Sequence, residues 1–324
     1  KFEIFLFMNH PKEDQTTKNF ENLVYKKINI FKLGDIETLN KVRELKIDIM
    51  IDLMGYTSYQ RLNLFKNRLA KKQIIWMGYC NTTGIKNMDY IISDPNVIKP
   101  EEEKFYSEKV IYLPEIWNCH CGFDFEREEH KPPLIKNDYF TFGSFNNFDK
   151  VNSDVIKVWS DILKKIKNSK LVLKTAKDIH ATTRIKKIFH EKNVLDSIKF
   201  LNREDKLEDH LNLYKNIDIC LDTFPYNGVT TTFEAIWMGV PVITMAGYNF
   251  NSRCGESINK NLKMDSLIAK NTDEYISKAV ELTHNREKYL NIRKLVFQNA
   301  LKSPLFNAKN FSENFYRSLE EILR

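Results

Sequence analysis

Short apolar runs alternate with longer amphipathic segments along the whole chain. Runs at 2–8, 47–54, 72–77, 90–93, 110–113, 139–145, 170–174, 198–201, 217–222 and 240–245 predict strands. Most are continuously apolar, the pattern of strands covered on both faces rather than one. Between them, apolar positions recur with a helical period at 38–45, 153–166, 181–192, 206–216, 231–238, 272–285 and 286–300. Strands alternating with helices point to βαβ units and parallel sheets, an α/β fold. At the end, Phe311, Phe315, Leu319 and Ile322 share one helical face, which predicts a docked terminal helix over 310–324.

Both periods break at 123–137, where a charged stretch runs into Pro132 and Pro133. An exposed linker over 126–138 is therefore expected, separating an N-terminal lobe, 1–125, from a C-terminal lobe, 139–324. The length of 324 residues agrees with two domains at roughly 150 residues each. A hydrophobic fraction of 42% excludes a disordered chain, and 10 Gly with 9 Pro exclude a collagen-like or linker protein. No apolar stretch approaches the roughly 18 residues of a membrane span, so none is expected. The excess of basic residues, 50 against 43, is spread along the chain and reads as a solvated surface. Nucleic-acid binding would need a basic stripe interleaved with aromatics, which the sequence lacks. Five cysteines, an odd number at low density, suggest reduced thiols and a cytoplasmic protein.

The chemistry concentrates in the run 221–241, LDTFPYNGVTTTFEAIWMGVP. A strand ends near Asp222, an irregular turn comes next, and three threonines open a helix. Free backbone N–H groups at such a start, with the helix dipole, attract anions. Thr230 and Thr231 can hold a phosphate there, and Glu234, a turn deeper, suits ribose hydroxyls. The competing reading of Thr231 and Glu234 is a simple capping box. A second strand exit, GSFNNFDK over 143–150, brings Asn147 and Lys150 to its tip, where a diphosphate would need neutralising. A third, WMGYCNTTG over 76–84, contains Gly78, which permits close backbone approach. His210 can stack on a base or merely pack. Cys119, His120 and Cys121 lack the second ligand pair of a tetrahedral metal site. The signatures of P-loop NTPases, zincins, dinucleotide-binding dehydrogenases and nucleophile-elbow hydrolases are missing.

Together these stretches resemble the catalytic region of the O-GlcNAc transferase family, glycosyltransferase family 41, in its bacterial and SPINDLY-like branches. The likeness runs in order through 49–56, 76–94, 106–114, 145–150, 210–222, 225–241, 252–257 and 303–307, and bacterial members carry the FPYNG-x-TTT string found here at 224–232. The resemblance implies a GT-B architecture of two Rossmann-like domains with parallel sheets facing across a donor cleft. It implies inverting transfer from a nucleotide sugar, chiefly UDP-GlcNAc, to a protein Ser/Thr hydroxyl, with no metal and no other cofactor. Carried over by position, Asn147 and Lys150 face the diphosphate, His210 the base, Thr230 and Thr231 a phosphate, and Glu234 the ribose. Met77, Gly78 and Cys80 border the sugar, and Lys150 is the expected catalytic residue, stabilising the leaving group.

Departures from the family pattern keep alternatives open. Val229 stands where animal enzymes have histidine, Glu234 replaces their aspartate, and Leu207 falls near their ribose-contacting basic residue. The sugar-side loop YCNTTG also differs. GDP-fucose or a UDP-hexose as donor, a glycan acceptor, and a nucleotide-sugar-binding module without turnover are the other readings. The family's N-terminal histidines and its substrate-selecting tetratricopeptide repeats would lie before Lys1, so the chain is expected to be truncated and its first lobe incomplete.

Overall fold

A computed structural model describes residues 2–124, 127–175 and 178–324. The chain divides into two compact units. The first comprises Lys1–Ser93, Pro100–Tyr112 and Arg317–Arg324; the second comprises Asp94–Lys99 and Leu113–Tyr316. By this division the stretch expected as a linker, 126–138, falls within the second unit; its first residue, Glu126, lies outside the described residues.

In the first unit the elements run β1 (Phe5–Met8), α1 (Gln15–Glu21), β2 (Lys26–Asn29), α2 (Asp35–Glu44), β3 (Ile49–Asp52), β4 (Lys72–Ile75), β5 (Tyr90–Ser93) and β6 (Lys109–Tyr112). β1 and β2 pair in parallel. β3, β4, β5 and β6 form a four-stranded sheet in that order, every neighbour parallel. Ile74, Ile75, Ile91 and Ile92 are almost completely buried, as their uninterrupted apolar runs require.

The second unit contains β7 (Phe140–Ser144), α3 (Ser153–Lys165), β8 (Ser169–Lys174), α4 (Ile179–Glu191), β9 (Ile198–Leu201), α5 (Leu207–Asn212), β10 (Ile219–Leu221), α6 (Thr230–Trp237), β11 (Val242–Met245), α7 (Cys254–Asn261), β12 (Ile268–Ala269), α8 (Thr272–His284), α9 (Arg286–Ala300) and α10 (Ala308–Leu323); the last residues of α10 cluster with the first unit. Its parallel sheet has the order β9-β8-β7-β10-β11-β12. Counted within the unit this is 3-2-1-4-5-6, the doubly wound arrangement, with its switch point between β7 and β10. Helix α3 shows how sequence sets an element: Asn152 caps it by accepting from the Asp154 and Val155 N–H groups, and Val155, Ile156, Trp159 and Ile162 line its buried face.

The expected strands and helices are present with shifted ends. The structure adds β2, α1, α7 and β12, whose patterns are weak. β2 reads Lys-Lys-Ile-Asn, β12 has two residues, and α7 contains Gly255 and two asparagines. The helix expected at 206–216 ends as α5 at Asn212 and continues as a 3₁₀ turn over Leu213–Asn216.

Candidate functional site

The switch point places the loop after β7 beside the loop after β10, and ligands of doubly wound sheets bind outside such strand ends. Asp222 organises the second loop. Its Oδ1 accepts from the Gly228 N–H at 2.7 Å and the Thr223 N–H at 2.9 Å, and its Oδ2 accepts from Thr244 Oγ1 at 2.8 Å. Complete burial pushes this carboxyl up to about 6, against the pull of those donors and of Lys150. Gly228 cannot be replaced without cost, because a Cβ there would lie 2.6 Å from Thr231 Oγ1 and 2.7 Å from Asn146 Oδ1.

Helix α6 begins where this loop ends. Val229 offers no side-chain cap, so the start of the helix is not closed by a neighbouring side chain. Nor do Thr231 and Glu234 form the capping box that competed with a ligand role. Thr231 Oγ1 donates to Asn146 Oδ1 at 2.9 Å, while Glu234 Oε2 accepts from Tyr214 Oη at 2.9 Å and lies 3.0 Å from His210 Nε2. Lys174 Nζ stands 3.2 Å and 3.4 Å from the two His210 ring nitrogens. Burial pushes the Lys174 ammonium down, with Glu234 opposing and Arg203 adding to the effect. Burial drives the Tyr214 phenol well above its ordinary range, with Glu234 contributing.

Lys150 Nζ donates to the Asn227 carbonyl at 2.8 Å and lies 4.1 Å from the centre of the Tyr226 ring. The two strand exits are thus joined by a cation beside the turn that precedes α6. Asn147 is held locally: its side chain accepts from the Asp149 N–H and donates to the Asp149 carboxylate. The amide bonded into the cluster is its neighbour Asn146. His210, Glu234, Thr231 and Lys150 are therefore gathered around one switch point, with Thr230 opening α6. Asn146, Lys174, Tyr214 and Asp222 complete the arrangement. None carried a signal of its own in the sequence; only the amide pair Asn146–Asn147 pointed to the right loop.

The first unit has its own strand-end loops. Asp52, at the end of β3, accepts from the Gly55 N–H at 2.7 Å, and burial raises its carboxyl. After β4, Met77 adopts φ 77° and is 44% exposed, while Cys80 is buried. A Cβ at Gly78 would lie 2.0 Å from the Leu53 carbonyl oxygen, so the two loops approach as only glycine allows. The Tyr56 and Tyr79 rings meet edge to face at 5.2 Å, and Tyr56 Oη donates to the Thr83 carbonyl. Glu108 accepts from Thr82 Oγ1 and the Thr83 N–H.

The cysteine–histidine cluster has packing partners instead. Cys119 Sγ donates to the Leu305 carbonyl at 3.3 Å, and the His120 ring stacks on Phe123 at 4.4 Å. Among the described residues no helix is long and apolar enough to cross a membrane.

A doubly wound parallel sheet whose switch point presents a helix start, a lysine and a buried acid, accompanied by a second unit with a parallel sheet, defines the GT-B class of glycosyltransferase fold. The chain matches the model of glycosyl transferase family 41 over residues 1–122 and 128–315, and it belongs to that family. It is 31% identical to a Solanum lycopersicum protein named as a probable UDP-N-acetylglucosamine–peptide N-acetylglucosaminyltransferase SPINDLY, over 98% of this chain and 35% of that protein. A Hordeum vulgare protein of the same name is 34% identical over the same shares. The chain thus spans about a third of the length of these curated relatives. A solved mutant of the Thermobaculum terrenum O-GlcNAc transferase superposes with a TM-score of 0.90 at 26% identity, over 99% of this chain and 62% of that one.

Proposed function

We propose that this chain is the catalytic region of an inverting glycosyltransferase that moves N-acetylglucosamine from UDP-GlcNAc to a protein serine or threonine hydroxyl. The observation that carries the reading is the uncapped start of α6 at Thr230 and Thr231, with Lys150 anchored beside it on the Asn227 carbonyl. The family membership and the UDP-N-acetylglucosamine named in the SPINDLY relatives support the donor.

In this reading the diphosphate lies against the first turn of α6, where backbone N–H groups and the helix dipole favour negative charge. Lys150 leaves the Asn227 carbonyl for the phosphate oxygens, and Asn147 adds an amide. His210 takes the base and Glu234 the ribose hydroxyls, the two being oriented by their mutual contact and by Tyr214 and Lys174. Met77, Gly78 and Cys80 are assigned to the sugar. The acceptor oxygen attacks the anomeric carbon on the face opposite the diphosphate. As the new C–O bond forms, the bond to phosphate breaks with its electron pair passing to the departing UDP, and the acceptor's proton passes to solvent. Charge grows on the departing diphosphate, and a fixed ammonium with oriented N–H groups lowers that barrier. These groups supply the stabilisation that a divalent cation supplies elsewhere, so we assign no metal to the reaction. Selection of acceptors by upstream tetratricopeptide repeats and a cytoplasmic setting belong to the same proposal.

A thermal-shift screen of UDP-GlcNAc, UDP-glucose and GDP-fucose, followed by a labelled-donor assay on peptides, tests it. UDP-GlcNAc should give the largest shift and support transfer. A larger shift with GDP-fucose would reassign the donor, and binding without transfer to any peptide would leave a nucleotide-sugar-binding module.

A further inference from the structure

A cavity of about 290 Å³ lies in the second unit at the end of α6 opposite Thr230 and Thr231. The eight residues of α6 set the two ends about 12 Å apart at 1.5 Å per residue. Met238, Leu290 and Phe297 give the cavity an apolar wall. Arg293, Lys294, Lys131 and His130 face it, and among the described residues lining it Glu129 is the single acid.

Arg293 is the informative member, because its side chain is only 6% exposed. Nη1 donates to the carbonyls of Ile217 and Asp218, both at 3.0 Å, and Nη2 lies 3.3 Å from His130 Nε2. A guanidinium only donates, so His130 Nε2 accepts and the ring proton sits on Nδ1, toward the Glu128 carbonyl at 3.4 Å. Burial and Arg293 together push His130 down to about 4, so the ring is neutral and adds no charge of either sign. Asp218 is the nearby acid; it accepts from the Leu134 and Thr141 N–H groups and from Tyr289 Oη and offsets part of the Arg293 charge. That leaves Lys131 and Lys294 as the cations that, among the described lining residues, only Glu129 opposes at the cavity. Nη1 also lies 3.4 Å from Tyr289 Oη, so the guanidinium is held at its inner end while its side chain lines the cavity. A cavity lined by Arg293 and two lysines against one acid favours an anionic visitor.

We propose that this cavity binds a small organic anion, a phosphate monoester or carboxylate with an apolar body. Its charged end meets Arg293, Lys294 and Lys131, and its body packs on Phe297 and Met238. The volume suits a ligand of one ring, at the lower end of small-molecule sites. The wall is held in place by Arg127, whose guanidinium lies 3.7 Å from the centre of the Phe297 ring and donates to the Trp237 carbonyl at the end of α6. This inference does not rest on the transferase activity.

The test is calorimetry on the full chain with phenyl phosphate, inorganic phosphate and phenol as probes. Phenyl phosphate should bind saturably to one site, at least about tenfold more tightly than either fragment, since both the charge and the ring are recognised. Arg293 also braces β10, so its variants test folding as well as binding. The exposed pair Lys131→Glu with Lys294→Glu avoids that difficulty. It should weaken phenyl phosphate about tenfold or more through charge reversal while leaving the unfolding midpoint unchanged. Excess UDP should not displace the probe. Absence of saturable binding, equal binding of either fragment, indifference to the double substitution, or displacement by UDP would each overturn the proposal.

Discussion

The loop after β10 and the loop after β3 share a plan. In each, a buried aspartate at a strand end accepts from the backbone N–H of a nearby glycine: Asp222 from Gly228 and Asp52 from Gly55, both at 2.7 Å. They differ in the neighbours that each loop meets next. Beyond Gly228 the chain enters α6 with an uncapped first turn and Lys150 alongside. Beyond Gly55 it meets the loop after β4, where Tyr56 bonds to the Thr83 carbonyl and Glu108 closes the turn through Thr82 and Thr83. In the proposed reading the second unit takes the negative charge, while in the first these polar groups bond to one another and Met77 and the Gly78 backbone contribute shape. A buried carboxylate at a strand end is a way of fixing a loop; what the loop does depends on the element it leads into.

The largest effect expected from breaking this contrast is at Lys150. Lys150→Ala should reduce transfer by roughly two to three orders of magnitude in a labelled-donor assay, the scale of losing one preorganised stabilising group. The fold should persist, since Asp222 and its backbone donors still hold the loop. Unchanged turnover would remove Lys150 from the reaction.

Next comes Gly78→Ala in the first unit. With the Leu53 carbonyl 2.0 Å from the added carbon, one loop must move, at a cost of roughly 1–3 kcal/mol in urea unfolding. If the first unit contributes shape, this variant should raise the KM for the donor more than a mutation of similar cost elsewhere. A stability equal to wild type would show that the two loops are not packed as described.

The smallest effect is a pH dependence that the two aspartates share. Asp222 is raised from 3.8 to about 6 on folding, so the native chain binds this proton more tightly than the unfolded one. Its contribution to stability is complete below about pH 4 and is lost as pH rises through about 6. Asp222→Asn keeps an acceptor for Gly228 and Thr223 but cannot titrate, so its stability should vary less over that window. Asp52 is raised in the same direction, and Asp52→Asn should flatten the profile with the same sign. Urea unfolding across the window measures both, and a steeper profile in either variant would contradict the burial argument.

Particular residues show how much was legible beforehand. Thr230, Thr231 and Glu234 announced themselves because three threonines after a Pro-Tyr-Asn-Gly turn mark a helix start with its N–H groups free. Lys150 could be chosen because it comes after a strand exit, yet its partner, the Asn227 carbonyl, is 77 residues away. Nothing local distinguishes the adjacent amides Asn146 and Asn147; in the fold Asn146 accepts from Thr231 and Asn147 bonds to Asp149. Lys174 looked like the polar end of a strand, and its place beside His210 depends on β8 lying next to β7. β2, with two lysines in four residues, carried too little apolar signal to be seen.

The α/β class follows from the residues alone, because continuous apolar runs between helical patterns read as strands covered on both faces. The sequence also carried the family resemblance and the helix start that anchors the phosphate reading. The strand order that sets β7 against β10, and so brings Lys150 to Asn227 and Asn146 to Thr231, came from the fold. The fold alone placed Asp222 where surrounding donors partly offset full burial, and Arg293 at the wall of a cavity. The physical reason is the same in each case. Periodicity reports which face of an element is buried, whereas partners across a sheet depend on connections that local sequence does not record.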